Sequence, residues 1–138
     1  MMKKFVSSVS VIALLLLCLL SVGCQSAPAA TGIWADATYT EDTTLGEGAT
    51  TLTVVVSAED KEVTLTVNTD ETTVGAALSA VGLIAGADGM YTVVNGMTAD
   101  YNIDQTYWAF YENDAYAMAG MDDTAITAGV VYKLVRSK

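Results

Sequence analysis

The sequence contains no histidine, and this absence removes several kinds of chemistry at once. Ser-His-Asp and Cys-His catalysis both need an imidazole base, and imidazole is also a common metal ligand. Cysteine is nearly as scarce, since only Cys18 and Cys24 occur. With so few nucleophiles, bases and metal ligands, we expect that the protein is not an enzyme.

Basic residues are also few, with 6 Lys and Arg against 16 Asp and Glu and a net charge of −10. A surface of this sign repels nucleic-acid phosphates, so we expect no nucleic-acid partner. The closest acidic sets are Asp122-Asp123 and Asp100 with Asp104. Neither has the alternating oxygen ligands around a glycine that a calcium loop requires, so we interpret them as solvated loop acids and predict no metal site.

Residues 1–23 have the pattern of a secretory signal peptide. Two lysines precede an apolar run from Phe5 to Leu20, and small residues then lead to Cys24. The run is shorter than the ~20 residues that span a bilayer, which favours a cleaved signal over an anchor helix. Cys18 would leave with the signal, so no internal disulfide is expected.

The residues before Cys24 resemble a bacterial lipobox. Val22 and Gly23 fit that motif, although Ser21 stands where leucine is commoner. The resemblance implies that Cys24 is lipidated with palmitate-type chains, the alternative being cleavage and release. Two acyl chains give stable anchoring. We therefore predict a protein on the extracellular face of the bacterial cell membrane that touches the membrane through this anchor only.

Residues 24–49 are predicted to be the lipidated N-terminus and a flexible tether. The stretch contains the only proline, Pro28, and its Ala, Thr, Gly and acidic residues show no apolar period. Trp34 and Tyr39 leave open whether a strand or docked segment from Ile33 to Thr40 packs on the domain.

Residues 50–138 have the pattern of one folded domain. Leu52 to Val56 is β-branched and apolar, and Val63 to Val67 alternates valine and leucine with threonine, which predicts a hairpin. Apolar spacing of four and three residues predicts one helix from Thr73 to Val81, with Thr73 as N-cap and Gly82 as its stop.

The rest of this domain predicts strands again. One short helix over a mixed sheet of four to six strands is an α+β fold, and a β-grasp arrangement is the simplest fold with this element order. The further strands are predicted at Tyr91 to Val94, Tyr107 to Tyr111, Ala115 to Met118 and Val130 to Val135, with turns at Asn95-Gly96 and Asn113-Asp114.

Four aromatic rings lie between residues 107 and 111. On a strand, Trp108 and Phe110 share one face, and Tyr107 and Tyr111 share the other. The sequence favours core packing for the Trp108 and Phe110 face and leaves the other face open between packing and binding. Exposed Tyr and Trp rings suit a flat organic ligand or a protein partner.

The run from Leu52 to Val135 resembles the bacterial lipoprotein domain related to the C-terminal domain of transcobalamin and intrinsic factor. The most specific match is Tyr-Trp-Ala-Phe-Tyr-Glu-Asn at 107–113, and weaker matches lie at 73–78, Gly82-Leu83, 94–96 and Gly120. The resemblance implies a β-grasp-like fold. In the vitamin carriers this domain closes over cobalamin against a separate helical domain, which we do not expect in this chain.

Two departures from that family affect binding detail more than fold. Family members usually have Asn-Gly where this chain has Asn113-Asp114, and often have Gly-Asp where it has Ala128-Gly129-Val130. Since no histidine is available to coordinate cobalt, a corrinoid would be held by its ring face and edges.

Two functions follow as hypotheses. The first is a surface-anchored, non-enzymatic lipoprotein that binds a small organic ligand, with cobalamin or another corrinoid as the candidate that the resemblance implies. The alternative is a cell-surface module for protein or glycan interaction. A transporter or second subunit is the partner expected to complete the site. The candidate ligand-binding residues are Tyr107, Trp108, Phe110, Tyr111, Tyr116, Met118 and Asn95.

Overall fold

The computed structural model describes residues 30–138, so the predicted signal peptide, Cys24 and most of the predicted tether lie outside the described residues. No helix in residues 30–138 has the length and apolarity needed to cross a membrane. The strands are β1 (Thr43–Leu45), β2 (Thr50–Ala58), β3 (Lys61–Thr69), β4 (Ile84–Ala87), β5 (Met90–Val94), β6 (Met97–Thr98), β7 (Tyr107–Glu112), β8 (Ala115–Tyr116) and β9 (Val131–Ser137), and the helices are α1 (Val74–Ala80) and α2 (Tyr101–Asp104).

A six-stranded mixed sheet in the order β1-β3-β2-β9-β7-β8 is the centre of the fold. The β2–β3 hairpin is antiparallel, β9 runs parallel to β2, and β7 runs antiparallel to β9. The β-grasp arrangement consists of a hairpin, a helical crossover and a last strand that lies beside the first. The sheet has this arrangement, so the predicted α+β class is confirmed. A second sheet, β4-β5-β6, lies between α1 and β7 along the chain.

The core forms because β2 and β3 alternate in register. Every second residue of β2 from Leu52 to Ala58 is buried while the residues between them are half-buried, and β3 repeats this alternation from Val63 to Thr69. Val54 pairs with Leu65, and both are fully buried. Helix α1 buries Val74 and Leu78 against this core, and its first turn is capped by Thr73, whose hydroxyl accepts from the backbone N–H of Ala76 at 3.3 Å.

The folded domain begins near residue 32, which corrects the tether prediction for residues 32–49. A 3-10 turn at Gly32–Asp36 buries Trp34, whose indole N–H donates to the carbonyl of Ala58 at 2.9 Å. The ammonium of Lys61 lies 4.9 Å from the centroid of the same ring. Further along, β1 pairs with β3. The question left open for Ile33 to Thr40 is thus answered, because this segment docks on the domain.

The structure also differs from prediction in its smaller elements. The strand β4, the two-residue strand β6 and the single turn α2 were not predicted, and the strand predicted over Ala115 to Met118 ends at Tyr116. The turn after β7 keeps the geometry of an Asn-Gly hairpin, since Asn113 and Asp114 have φ values of 46° and 66°. Asp114 therefore forms the hairpin turn without a glycine at that position.

Candidate functional site

A cleft of about 480 Å³ lies between β5 and β7 and reaches to α2. We call it the aromatic cleft. Its volume falls within the range of roughly 300–1,000 Å³ that is typical of small-molecule sites. The side chains that shape it include Met90, Tyr91, Tyr101, Tyr107, Trp108 and Phe110.

Strand β7 positions the rings at the base of this cleft. Phe110 is nearly buried and stacks on Tyr132, with ring centroids 6.0 Å apart. Trp108 is half-buried, and its indole N–H donates to the carbonyl of Thr92 on β5 at 3.2 Å. This bond joins the two strands across the cleft and holds the indole in a fixed position, which suits a stacking surface.

A second cavity of about 280 Å³ shares Trp108, Phe110 and Gly120 with the aromatic cleft. We call it the side pocket. Tyr116 and Met118, which follow the β7–β8 turn, complete its lining. The two cavities are therefore neighbours, with Trp108 and Phe110 in the lining of both.

Most of the exposed large apolar side chains of the described residues surround these two cavities. Val131 is exposed on the central sheet, away from both linings, and Ile103 lies on α2 beside the cleft. Clustering of this kind marks interaction sites, whereas isolated exposed apolar residues are ordinary. The exposed residues that line the cavities are Met90 (74%), Tyr101 (65%) and Tyr107 (41%) in the aromatic cleft and Tyr116 (62%) and Met118 (99%) in the side pocket.

An ion pair holds the loop that carries α2. Arg136 on β9 donates through Nη2 to Asp104 Oδ2 at 2.8 Å and through Nε to the carbonyl of Thr98 at 3.1 Å. Asp104 also accepts from the hydroxyl and the backbone N–H of Thr106. The hydroxyl of Thr106 is the main cause that lowers the pKa of Asp104, and its backbone N–H and Arg136 act in the same direction.

We predict that Asp104→Asn loosens this loop and speeds amide exchange at the backbone N–H of Thr106. The pKa of Asp104 is lowered in the fold, so its carboxylate contributes stability above the unfolded value of about 3.9 and loses it as the pH falls through the lower folded value. The protection of Thr106, measured relative to the intrinsic exchange rate at each pH, should therefore fall in acid in the natural protein and be low at every pH in the variant. Asp123→Asn makes the same charge change elsewhere, and equal acceleration by both substitutions would contradict the prediction.

The opposite wall of the cleft is fixed by Tyr91. Its hydroxyl donates to Asp122 Oδ1 at 2.5 Å, which joins β5 to the 3-10 turn Met121–Asp123. The hydrogen bond to Asp122 is the main cause that raises the pKa of Tyr91, and partial burial adds to it. Gly75 on α1 leaves room for this carboxylate, since a Cβ there would meet Asp122 Oδ1 at 2.0 Å.

Five of the seven predicted ligand-binding residues line the two cavities. Tyr111 does not, and its ring packs edge-on against Tyr116 with centroids 5.4 Å apart. The prediction for Asn95 is wrong. Its side chain is fully buried, donating to the carbonyl of Tyr39 and accepting from the backbone N–H of Tyr39 at 2.8 Å each, so it ties the N-terminal segment to the β5–β6 turn.

The sequence did not identify Met90, Tyr91 or Tyr101 as site residues. Met90 and Tyr91 belong to β5 in the second sheet, and Tyr101 starts α2 directly after its N-cap, Asp100. The capping pattern at Asp100 was a usable local signal for the helix. No local signal shows that β5 and α2 pack beside β7.

The cleft has no cluster of metal-ligating side chains. Within residues 30–138, no three His, Cys, Asp or Glu residues lie close enough together to hold a metal ion. The chemistry that the aromatic cleft offers is stacking on aromatic rings, apolar contact, and hydrogen bonding at its edges.

Comparison with known proteins gives structural neighbours. No family profile and no curated protein matches the chain. One similar solved structure is a Ruminococcus gnavus protein proposed to bind metal, with a TM-score of 0.61 and 24% identity over 65% of this chain and 98% of that one. Another is haptocorrin in complex with Cbi, with a TM-score of 0.51 and 16% identity over 64% of this chain.

These likenesses concern the fold. The matched region spans 25% of haptocorrin, so most of that protein has no counterpart in the comparison. At 24% and 16% identity, the two neighbours support a remote transcobalamin-like fold for this domain. The resemblance of its motifs to a bacterial lipoprotein family stays a prediction.

Proposed function

We propose that this domain binds a small organic ligand in the aromatic cleft and performs no catalysis on it. The observation that carries the proposal is the gathering of exposed apolar side chains around the aromatic cleft and the side pocket, both of which are lined by the fixed indole of Trp108. Exposure of such groups is unfavourable unless something covers them in use. A ligand of matching shape would remove this surface from water.

A corrinoid is the ligand class that we favour. It is a flat macrocycle with an apolar face and amide side chains at its edge, which suits an open cleft with aromatic rings at its base. Haptocorrin, a structural neighbour, was solved with Cbi, which is a corrinoid. The net charge of −10, with Asp100 in the cleft lining, favours a neutral or cationic ligand over an anionic one.

We further propose that the domain works on the outer face of the cell membrane, anchored through lipidated Cys24. The lipobox-like residues before Cys24 support this. The cleft is open on one side, so a bound macrocycle would keep its other face exposed. A transporter or second subunit is the partner proposed to cover that face.

The experiment that tests the binding proposal uses residues exposed enough to be replaced without damage to the fold. Met90→Ser and Tyr101→Ser each remove apolar surface from the cleft, and we expect each to weaken binding of cobinamide by about tenfold, as one lost apolar contact would. Isothermal titration calorimetry on the full chain in detergent gives the affinity. Val131→Ser is the matched control, because Val131 is exposed but lies outside both cavities.

Equal affinity of all three variants for cobinamide would contradict binding in the cleft.

A protein partner is the second candidate, and the side pocket favours it, since Met118 is 99% exposed at its margin. If the chain does not bind cobinamide but retains a cell-surface protein in pull-down that Met118→Ser releases, the interaction module is the better description.

A further inference from the structure

Along β7, the main-chain N–H and C=O groups of successive residues point alternately toward β9 and toward β8. Two hydrogen bonds show which residues point toward which strand. The N–H of Asn113 donates to the carbonyl of Val131 at 2.9 Å, on the β9 side. The carbonyl of Phe110 accepts from the N–H of Ala117 at 3.0 Å, on the β8 side. Since alternate residues of a strand share a direction, the main-chain N–H and C=O of Trp108 also point to the β8 side.

Among residues 30–138, no strand lies opposite Trp108 on that side. Strand β8 pairs with Tyr111 and Glu112, and the bond from Ala117 to Phe110 ends the main-chain pairing on this side within residues 30–138. The edge of β7 at Trp108 is therefore open, and Trp108 lines both the aromatic cleft and the side pocket. One main-chain donor and one main-chain acceptor thus lie side by side where the two cavities meet.

We propose that this pair recognises a carboxamide of the ligand, an inference that rests on the proposed function. An extended residue presents its N–H and C=O in parallel, and the C=O and N–H of an amide complement them, as in one rung of an antiparallel ladder. A carboxylate or an ester has no N–H, so it would leave the carbonyl of Trp108 without a partner. The cleft would select corrinoids by their amide side chains as well as by their flat ring.

Amide exchange at Trp108 tests the inference directly. In the free protein the N–H of Trp108 should exchange fast, whereas that of Ala109, which points to β9, should be protected. Saturation with dicyanocobinamide should slow exchange at Trp108 by about tenfold or more, as one hydrogen bond would, and leave Ala109 unchanged. Nuclear magnetic resonance on the full chain in detergent resolves both sites.

A second probe separates amide recognition from stacking. The heptamethyl ester of dicyanocobyrinic acid keeps the ring, the metal and the neutral charge but has ester oxygens in place of amide N–H groups. We expect it to bind about tenfold more weakly than dicyanocobinamide. Equal affinity for both probes, or tight cobinamide binding with unchanged exchange at Trp108, would overturn the inference while leaving the proposed function standing. No binding of either probe would overturn both.

Discussion

Replacement of Trp34 by alanine is expected to lower the free energy of unfolding by about 3–5 kcal/mol, the cost of truncating a large buried aromatic residue. Trp34 is only 3% exposed and is the largest apolar contact of the segment before β1. Its loss also leaves the carbonyl of Ala58 without its indole donor and removes the ring that Lys61 covers. The expected effect is a large fraction of the stability of a small domain.

Urea unfolding of the full chain in detergent, followed by far-ultraviolet circular dichroism, measures this effect. Trp34→Phe is the matched control, because it keeps most of the apolar volume and removes the indole N–H, and we expect it to cost about 1–3 kcal/mol, less than alanine. If Trp34→Ala left the unfolding midpoint unchanged, the segment at 32–36 would be a tether and its assignment to the domain would be wrong.

Replacement of Trp108 by alanine is expected to weaken cobinamide binding by at least about thirtyfold, as is typical of a tryptophan at the centre of a binding surface. Trp108 lines both cavities and is held by its bond to Thr92. Truncation would remove the stacking surface and release β5 from β7 at this point. Trp108→Phe keeps a ring but loses that bond, so an intermediate affinity is expected.

Tyr111→Ala is the matched control, because Tyr111 is an aromatic residue of the same strand that lines neither cavity. Calorimetric titration should give it the affinity of the natural chain. Circular dichroism checks that each variant is folded. Equal losses for Trp108→Ala and Tyr111→Ala would show that the effect acts through the fold and that the cleft is not the binding site.

The sequence was informative wherever burial imposes a local period. The β-branched apolar run of β2 and the alternation of β3 predicted both strands, and the alternation also predicted the face that β3 buries, because a β-strand that packs on one side must alternate. The Thr73 cap and the apolar spacing of α1 predicted the helix within one residue at either end. Both signals depend only on residues that are close in the sequence. They can therefore be recognised without knowing which elements pack against the strands or the helix.

The errors came from segments whose structure is set by distant contacts. Strand β4 reads Ile-Ala-Gly-Ala, which has little β propensity, and it forms because it pairs with β5. The segment around Trp34 shows no apolar periodicity, and the buried ring of Trp34 holds it on the domain. Asn95 occurs in a turn pair that suggested exposure, but it lies under Tyr39, which comes 56 residues earlier.

The aromatic cleft was predicted in part for the same reason. The rings of β7 stood out in the sequence, and the structure buries Phe110 in the core as predicted and leaves Trp108 half-buried, with both rings lining the cavity. Its other wall, formed by Met90, Tyr91 and Tyr101, depends on how β5 and α2 pack beside β7. No pattern within either segment encodes that juxtaposition.

The location of cobalt in crystals grown with cobinamide shows whether the aromatic cleft holds a corrinoid. Anomalous diffraction at the cobalt absorption edge locates the metal without assumptions about the ligand's orientation. We predict one peak above the aromatic cleft, with the corrin face against the ring of Trp108. A peak elsewhere on the domain, or none when cobinamide is present at saturation, would contradict the account.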